Sequence, residues 1–196
     1  MINVYDFDKT IYDGDSSIEF YLYCLKKRKR IICLLPIQVV AMILYYMKLK
    51  KKEFFKETFF SFVKYVPDID QYVKDFWKEK LKNIKPWYWN QKKETDVIIS
   101  ASPEFLLKPL EKELQIAKVI ATKVNKKTGK FESDNCYGEE KVKRFTKEVG
   151  NKKIKCFYSD SFSDLPMMEL SQQAYLIKKE SVQKIDMKKL KTKEEE

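Results

Sequence analysis

Asp6 and Asp8 stand two residues apart, directly after the apolar run Ile2–Tyr5. Two carboxylates this close repel each other, so keeping both ionised requires a nearby cation, and a hard cation such as Mg²⁺ suits oxygen ligands. The pattern Asp-x-Asp-x-Thr ends at Thr10. Taken alone, it predicts either a magnesium site or a solvated acidic turn.

Three further polar motifs could contribute to the same chemistry, and each also has a plain structural interpretation. Asp160 and Asp164 follow the run 154–158 and could complete a magnesium site, or one of them could cap a helix. Ser100 follows another apolar run and could offer its hydroxyl to a phosphate oxygen or serve as a cap. Lys141 could hold an anion or be one of many solvated lysines.

The elements that must position these residues are short strands alternating with helices. The predicted strands are 2–5, 96–100, 118–122, 154–158 and 174–177, and the predicted helices include 105–114 and 139–149. Ser102 is predicted to be an N-cap, with Pro103 at the first helical position. The charge-rich tail 178–196 is predicted to be a frayed or exposed helix.

Alternating strands and helices predict an α/β fold with a parallel sheet covered on both faces. In such sheets, ligands bind beyond the carboxyl ends of the strands, and Asp6, Ser100 and Asp160 all fall at such ends. The segment 15–89 interrupts the alternation, because it is rich in Phe, Tyr, Trp and Lys at helical spacing and has no clear strand. We therefore expect one core with an inserted helical unit.

The four motifs together, in this order, resemble those of the haloacid dehalogenase (HAD) superfamily, specifically its phosphoserine phosphatase-like subgroup (subfamily IB) with a helical C1-type cap. The matching stretches are Val4-Tyr5-Asp6-Phe7-Asp8-Lys9-Thr10, Val97-Ile98-Ile99-Ser100-Ala101-Ser102, Gly138-Glu139-Glu140-Lys141 and Tyr158-Ser159-Asp160-Ser161-Phe162-Ser163-Asp164-Leu165-Pro166. The resemblance implies a three-layer Rossmann-like core of residues 1–14 and 90–196, with residues 15–89 as the cap.

The resemblance also implies a Mg²⁺-dependent phosphatase. Asp6 would be the nucleophile that attacks phosphorus, and Asp8 the general acid and base. Ser100 and Lys141 would act with them by holding the phosphoryl oxygens. The implied metal ligands are Asp6, Asp8, Asp160 and Asp164, and the implied substrate- and phosphate-binding residues are Thr10, Asp15, Ser100, Ala101 and Lys141.

Two positions depart from the phosphoserine phosphatases. Asp15 stands where those enzymes tend to have a Glu that meets the substrate ammonium, and Ala101 stands where they favour Gly. Their carboxylate-binding Arg has no clear counterpart in the Lys-rich insertion. These departures weigh against phosphoserine as the substrate and leave the hydrolytic residues unchanged.

Composition excludes several other classes of protein. The 196 residues include no His, which excludes Ser-His and Cys-His nucleophiles and most zinc sites. The four Gly are too scattered for a dinucleotide-binding turn or a Walker loop. A net charge of +11 favours anionic ligands. Four widely spaced Cys and no recognisable secretory signal predict a reduced, cytoplasmic protein.

The apolar run 31–47 has Lys and Arg on both sides. It is a little shorter than the roughly 20 apolar residues of a spanning helix. Three interpretations stay open: a helix buried in the insertion, a helix lying on an anionic membrane surface, and a spanning helix. A surface helix would place the protein at the membrane periphery and suit a lipid phosphate substrate. A small phosphorylated metabolite is the other substrate class.

The alternative function is a basic protein on a HAD-like fold that binds nucleic acid or a membrane surface. It is suggested by a sequence pI of about 9.3 and by the aromatic residues among lysines in Lys85-Pro86-Trp87-Tyr88-Trp89. No nucleic-acid-binding motif accompanies them, so we expect no specific nucleic acid partner.

Overall fold

The computed structural model describes residues 1–187. Its six strands are β1 (Ile2–Tyr5), β2 (Val97–Pro103), β3 (Lys118–Thr122), β4 (Ile154–Ser159), β5 (Ser171–Lys178) and β6 (Ser181–Ile185). They form one sheet in the order β3-β2-β1-β4-β5-β6. All neighbours are parallel except β6, which runs antiparallel to β5. The predicted α/β fold is confirmed.

The helices lie between the strands and, in greater number, between β1 and β2. They are α1 (Ser16–Lys27), α2 (Leu35–Tyr46), α3 (Lys52–Phe60), α4 (Ile69–Lys80), α5 (Pro86–Gln91), α6 (Glu104–Leu107), α7 (Leu110–Glu113), α8 (Glu139–Val149) and α9 (Leu165–Glu169). Short 3₁₀ helices span Lys29–Leu34, Ser61–Tyr65, Leu81–Asn83 and Phe162–Asp164.

The sheet is covered on both faces, which makes the core three-layered. Successive residues of β1 alternate between two apolar clusters, because side chains along a strand point to opposite faces. Val4 packs in the cluster that includes Phe145 of α8 and Phe157 of β4. Tyr5 packs in the other cluster, with Phe20 of α1.

Two local predictions are wrong. The predicted helix 105–114 is two short helices, α6 and α7, separated at Pro109, whose ring removes a backbone donor. Ser102 is not a helix N-cap: β2 extends to Pro103, which itself precedes α6. The error arises because β2 continues past its apolar run through Ser100 and Ser102, which are buried polar residues that apolar periodicity does not mark.

The helix predicted for the tail is also wrong for most of residues 178–187, the part of the tail that the structure describes. Lys178 ends β5, and a turn at Lys179, with a φ of 54°, leads into β6. β6 is an exposed edge strand, so its sequence lacks the apolar alternation that predicts a strand. The remainder of the tail, residues 188–196, lies outside the described residues.

The run 31–47 forms most of the 3₁₀ helix Lys29–Leu34 and all of α2. Ile31, Gln38 and Ala41 are buried, whereas most of the apolar side chains in the run are exposed. The interpretation of this run as a buried helix is therefore wrong for most of its length.

The inserted helices share an apolar cluster with the sheet. Trp77 of α4 is buried, and its indole N–H donates to the Leu106 carbonyl oxygen at 2.7 Å. Tyr88 of α5 is also buried and lies edge-on to Tyr5 of β1, with 5.0 Å between ring centroids. The insertion is thus fixed to the core at two points, one on α6 and one on β1. Its treatment as a separate cap of residues 15–89 remains a proposal.

We expect Trp77→Phe to lower the free energy of unfolding by about 1–3 kcal/mol, because the Leu106 carbonyl oxygen loses its indole donor in a buried environment. Chemical denaturation measures the change. Trp89→Phe is the matched control, since Trp89 is 42% exposed, and it should cost less than about 0.5 kcal/mol. Equal losses in the two variants would show that the contact between α4 and α6 does not stabilise the fold.

Candidate active site

A cavity of about 460 Å³ opens at the carboxyl ends of β1, β2 and β4. This is where a parallel sheet positions ligands. Eight of the nine candidate residues line it: Asp6, Asp8, Asp15, Ser100, Ala101, Lys141, Asp160 and Asp164. The ninth, Thr10, is fully buried and does not line the cavity.

Asp6 continues β1 towards the cavity, and its backbone N–H donates to the Tyr158 carbonyl oxygen at 2.9 Å. Its Oδ1 accepts from Lys141 Nζ at 2.7 Å, and its Oδ2 accepts from Thr10 Oγ1 at 3.1 Å. Burial raises the pKa of Asp6 to about 7, while Lys141 opposes that rise. The carboxylate is therefore oriented by two donors in a site that is largely closed to water.

Lys141 lies in the first turn of α8 and is only 2% exposed. Its Nζ also donates to Asp164 Oδ2, at 2.8 Å, so one ammonium bridges two carboxylates. The pKa of Lys141 is raised: burial disfavours its charge, but the two carboxylates outweigh burial. Asp164 is fixed further by the Ser159 hydroxyl, which donates to Oδ2 at 2.7 Å.

Thr10 positions the ends of two neighbouring strands. Its hydroxyl donates to Asp6 Oδ2 and accepts from the Asp160 backbone N–H at 2.9 Å. Because the hydroxyl is already used and the side chain does not reach the cavity, Thr10 joins the segments that follow β1 and β4 and does not line the cavity. The predicted direct role of Thr10 in phosphate binding is not supported by this geometry.

Asp8 sits at the amino end of α1. Its Oδ1 accepts from the Ser16 backbone N–H at 2.6 Å, and its Oδ2 accepts from the Ser102 hydroxyl. Burial, followed by the charge of Asp15, raises the pKa of Asp8 to about 6, and the two serine donors oppose that rise. A carboxyl group with a pKa near neutrality can both give and take a proton at physiological pH.

Ser100 and Ala101 bring the end of β2 to the cavity. Ser100 is 1% exposed, and its Oγ accepts from the Ser102 backbone N–H at 3.1 Å. The Ala101 carbonyl oxygen accepts from Lys56 Nζ and from Thr122 Oγ1, each at 3.1 Å. These bonds fix the backbone that lines the cavity.

Asp15 has a structural role as well as a place in the cavity wall. It is the N-cap of α1, and its Oδ1 accepts from the Ile18 backbone N–H at 3.0 Å. Substituting it would therefore disturb the helix that orients Asp8, in addition to any contact with a ligand.

Several residues of the cavity are not singled out by the sequence as site residues, and among them Ser102 and Lys56 donate hydrogen bonds to candidate residues. Ser102 was interpreted as a cap, although the two-residue period of a strand places it on the same face as Ser100. Lys56 of α3 reaches across to β2 and also donates to Asn135 Oδ1 at 2.8 Å. Lys52, Phe55, Lys56 and Phe59 all line the cavity, and their spacing marks one helical face that could have been recognised.

Most of the aromatic stretch at Lys85 packs into the fold, and Trp89, which is 42% exposed, is the one aromatic residue of the stretch that faces solvent. Lys85 is 2% exposed, and its Nζ donates to the carbonyl oxygens of Lys9 and Lys179, both at 2.7 Å. Tyr88 is fully buried, and Trp87 packs against the same apolar cluster. The observation that suggested nucleic-acid binding thus has a structural explanation.

The family model of haloacid dehalogenase-like hydrolases matches residues 4–169. The chain belongs to this family. No curated protein sequence is similar enough to the chain to count as a match.

Solved structures resemble this HAD hydrolase in fold at low sequence identity. A Bordetella pertussis Tohama I protein of unknown function is 16% identical, with a TM-score of 0.71, and the match covers 88% of this chain and 87% of that one. A phosphoserine phosphohydrolase-like protein from Francisella tularensis is 19% identical, with a TM-score of 0.53 and coverage of 89% and 86%. A probable phosphoserine phosphatase from Vibrio cholerae is 12% identical, with a TM-score of 0.63, and the match covers 89% of this chain but 55% of that one.

HAD phosphatases generally use Mg²⁺, and the donor set of this cavity fits that ion. Burial raises the pKa of Asp6 and that of Asp160, and the negative charge of Asp164 raises both pKa values further. Asp164 Oδ1 is buried with no hydrogen-bond partner, so a nearby cation would offset its desolvation. Within residues 1–187, no group of three or more His, Cys, Asp or Glu forms a complete metal site. Mg²⁺ is commonly held by one or two carboxylates and several waters.

We expect Lys141→Met to destabilise the metal-free hydrolase by about 3–5 kcal/mol at pH 8, because two buried carboxylates lose their shared cation. Losing Lys141 raises the pKa of Asp6 further above its unfolded value, so the folded variant binds the extra proton. Its stability should therefore recover as the pH falls through that raised pKa.

Urea denaturation in EDTA at pH 8 and pH 5 measures this effect. Lys143→Met, an exposed lysine on the same helix, is the control and should change the free energy of unfolding by less than about 0.5 kcal/mol. The account of the buried ion pairs is contradicted if Lys141→Met loses the same stability at both pH values.

Proposed function

We propose that the protein is a Mg²⁺-dependent phosphomonoester hydrolase that acts through a covalent phosphoaspartate on Asp6. The observation that carries the proposal is a pair of carboxylates in one cavity with different partners. Asp6 is held by a buried ammonium, that of Lys141, whereas Asp8 is held by hydroxyl and backbone donors from Ser102 and Ser16. Environments this different suit two separate roles.

In the first step, an Asp6 carboxylate oxygen attacks phosphorus and the bond from phosphorus to the ester oxygen breaks. Asp8 gives its proton to the departing oxygen, so the alcohol leaves neutral. In the second step, the Asp8 carboxylate takes a proton from water as the water oxygen attacks phosphorus. The bond from phosphorus to Asp6 then breaks, which releases phosphate and restores both carboxyl groups.

Positive charge and donors are arranged around the position of the phosphoryl group. Lys141 and the Ser100 hydroxyl would hold its oxygens, with the fixed backbone at Ala101 beside them. Asp6, the Asp8 backbone carbonyl and Asp160 would hold Mg²⁺, with Asp164 supporting them. The bound ion would supply charge against the phosphoryl oxygens and favour the ionised form of Asp6.

The cavity wall favours one of the two substrate classes. Ile18, Phe55, Phe59 and Phe60 form an apolar side, and Lys52 and Lys56 add positive charge. This lining suits a phosphomonoester with an apolar organic part, such as a lipid phosphate, better than a small zwitterion such as phosphoserine.

Four free cysteines, three of them buried, support a role in a reducing, cytoplasmic compartment.

We expect Asp6→Asn to lower phosphatase activity by at least about 10³-fold, because the amide is a poor nucleophile. Phosphate release should be measured with p-nitrophenyl phosphate, phosphoserine, a sugar phosphate and phosphatidylglycerophosphate, in Mg²⁺ and in EDTA. Asp13→Asn is the matched control: Asp13 is exposed on the same loop and should retain full activity.

The results of these assays test the mechanism and the substrate class separately. Activity that requires Mg²⁺ and disappears in Asp6→Asn supports the proposal, and the best substrate then identifies the class. Wild-type levels of activity in Asp6→Asn would rule out a phosphoaspartate on this residue. Equal activity in EDTA, after the metal has been stripped, would rule out the metal requirement.

Lys56 provides a test of substrate binding that depends on pH. Burial, with a smaller effect from Lys52, lowers the pKa of Lys56 to about 8. Above that pH, the side chain loses its charge and attracts an anionic substrate less, so KM should rise while kcat changes little. Lys56→Gln should raise KM about tenfold at pH 7 and abolish the rise above pH 8. Lys56→Arg should keep a low KM to higher pH. A wild-type KM that stays constant from pH 7 to 9.5 would contradict this role of Lys56.

A further inference from the structure

α2 and the loop that follows it expose an unusually continuous apolar surface. Six large side chains there are between 48% and 75% exposed: Ile37, Val40, Ile43, Tyr46, Met47 and Leu49. We call these six residues the apolar patch. Steps of three residues drift around a helix of 3.6 residues per turn, so the helical members spread over about half the circumference of α2. Single exposed apolar residues are common on proteins, whereas a contiguous set marks an interaction surface.

The inner side of α2 buries no large apolar side chain completely, because Leu44 and Tyr45 are only half-buried. Gln38 is buried, its Oε1 accepts from the Tyr21 hydroxyl at 2.9 Å, and its Nε2 donates to the Phe59 carbonyl oxygen at 3.1 Å. The other buried residue of α2 is the small Ala41. A surface helix of a protein surrounded by water turns its large apolar side chains inward. The exposed apolar side chains of α2 therefore indicate that an apolar medium covers its outer side.

Charge around the patch identifies the kind of medium. Residues 20–52 contain nine Lys and Arg and no Asp or Glu. These basic residues lie in two groups, 26–30 before α2 and 48–52 after it. A surface that is apolar in the middle and basic at both ends complements the acyl and headgroup regions of an anionic bilayer. A second copy of the chain is a poorer match, because it would bring like charges together.

The insertion also restricts how deeply α2 can enter a membrane. The helical stretch Lys29–Tyr46, with a mean hydropathy of 1.5, is long and apolar enough to cross a membrane and is only 17% buried. However, α1 before it and α3 after it both line the same cavity, through Ser17 and Lys56. Both ends of the stretch therefore stay on one side of a bilayer. A helix lying in the interface satisfies this constraint and a spanning one does not.

We infer that the apolar patch docks on the surface of an anionic phospholipid bilayer. α3 connects the docked surface to the cavity: Phe55 stacks on Tyr45 of α2, with 5.8 Å between ring centroids, and also lines the cavity. Docking would thus hold the cavity close to lipid headgroups. The docking surface itself does not depend on the proposed phosphatase activity.

Co-sedimentation of the full chain with vesicles tests this inference. The vesicles are phosphatidylglycerol mixed with phosphatidylcholine, or phosphatidylcholine alone, in low and high salt. We expect binding to the anionic vesicles that weakens in high salt, and at least about tenfold weaker binding to the neutral ones. The variant Ile37→Ser, Val40→Ser, Ile43→Ser should reduce binding to anionic vesicles by at least about tenfold. The variant Lys50→Glu, Lys51→Glu should do the same.

The control is Leu170→Ser with Val182→Ser, which removes two exposed apolar side chains far from α2 in sequence and should leave binding unchanged. Circular dichroism and hydrolysis of p-nitrophenyl phosphate confirm that each variant is folded. The inference is overturned if the wild type does not sediment with anionic vesicles, or if the patch variants bind as the wild type does. It is also overturned if analytical ultracentrifugation shows a dimer that only the patch variants dissociate, since a second copy would then cover the patch.

Discussion

The bridge formed by Lys141 between Asp6 and Asp164 is the interaction on which the active site depends. It joins β1, the start of α8 and the loop after β4, all at one edge of the sheet. Its three side chains are almost completely shielded from water, so the two carboxylates depend on the ammonium and the ammonium depends on them. The same ammonium that offsets the burial of the two carboxylates lies where the oxygens of a phosphoryl group would need positive charge. The stability of the fold and the proposed chemistry therefore both require a positive charge at Lys141.

The inserted helices shape the other side of the cavity and give the molecule its unusual surface. Lys56 of α3 faces the cavity, and behind α3 lies α2, with a buried Gln38 and an exposed apolar outer side. Under the two proposals, this arrangement would link recognition of an anionic, partly apolar ligand to docking on an anionic membrane. The sheet would supply the reactive groups, and the inserted helices would select what reaches them.

Much of the fold and site could be predicted from sequence because both depend on local patterns. Apolar runs ending in Asp6, Ser100 and Asp160 predict strands, and parallel strands bring their carboxyl ends together. The rest depends on tertiary contacts. The helical spacing of Lys52, Phe55, Lys56 and Phe59 marks one face of α3, but nothing local shows that this face lines the cavity. Nothing local shows that Thr10 lies between two strands either. Composition predicted that α2 is apolar but not which side would be covered, and β6 pairs through its backbone, with little apolar alternation to reveal it.

The central claim is that phosphate is transferred first to Asp6. The most direct measurement is mass spectrometry of the enzyme after rapid acid quenching during turnover with its best phosphomonoester substrate, followed by peptide mapping. The account predicts an added phosphoryl group on the peptide that contains Asp6, assigned to that residue and removed by hydroxylamine. Steady turnover with no covalent phosphoryl group under these conditions, or with the group on a different residue such as Ser100, would contradict it.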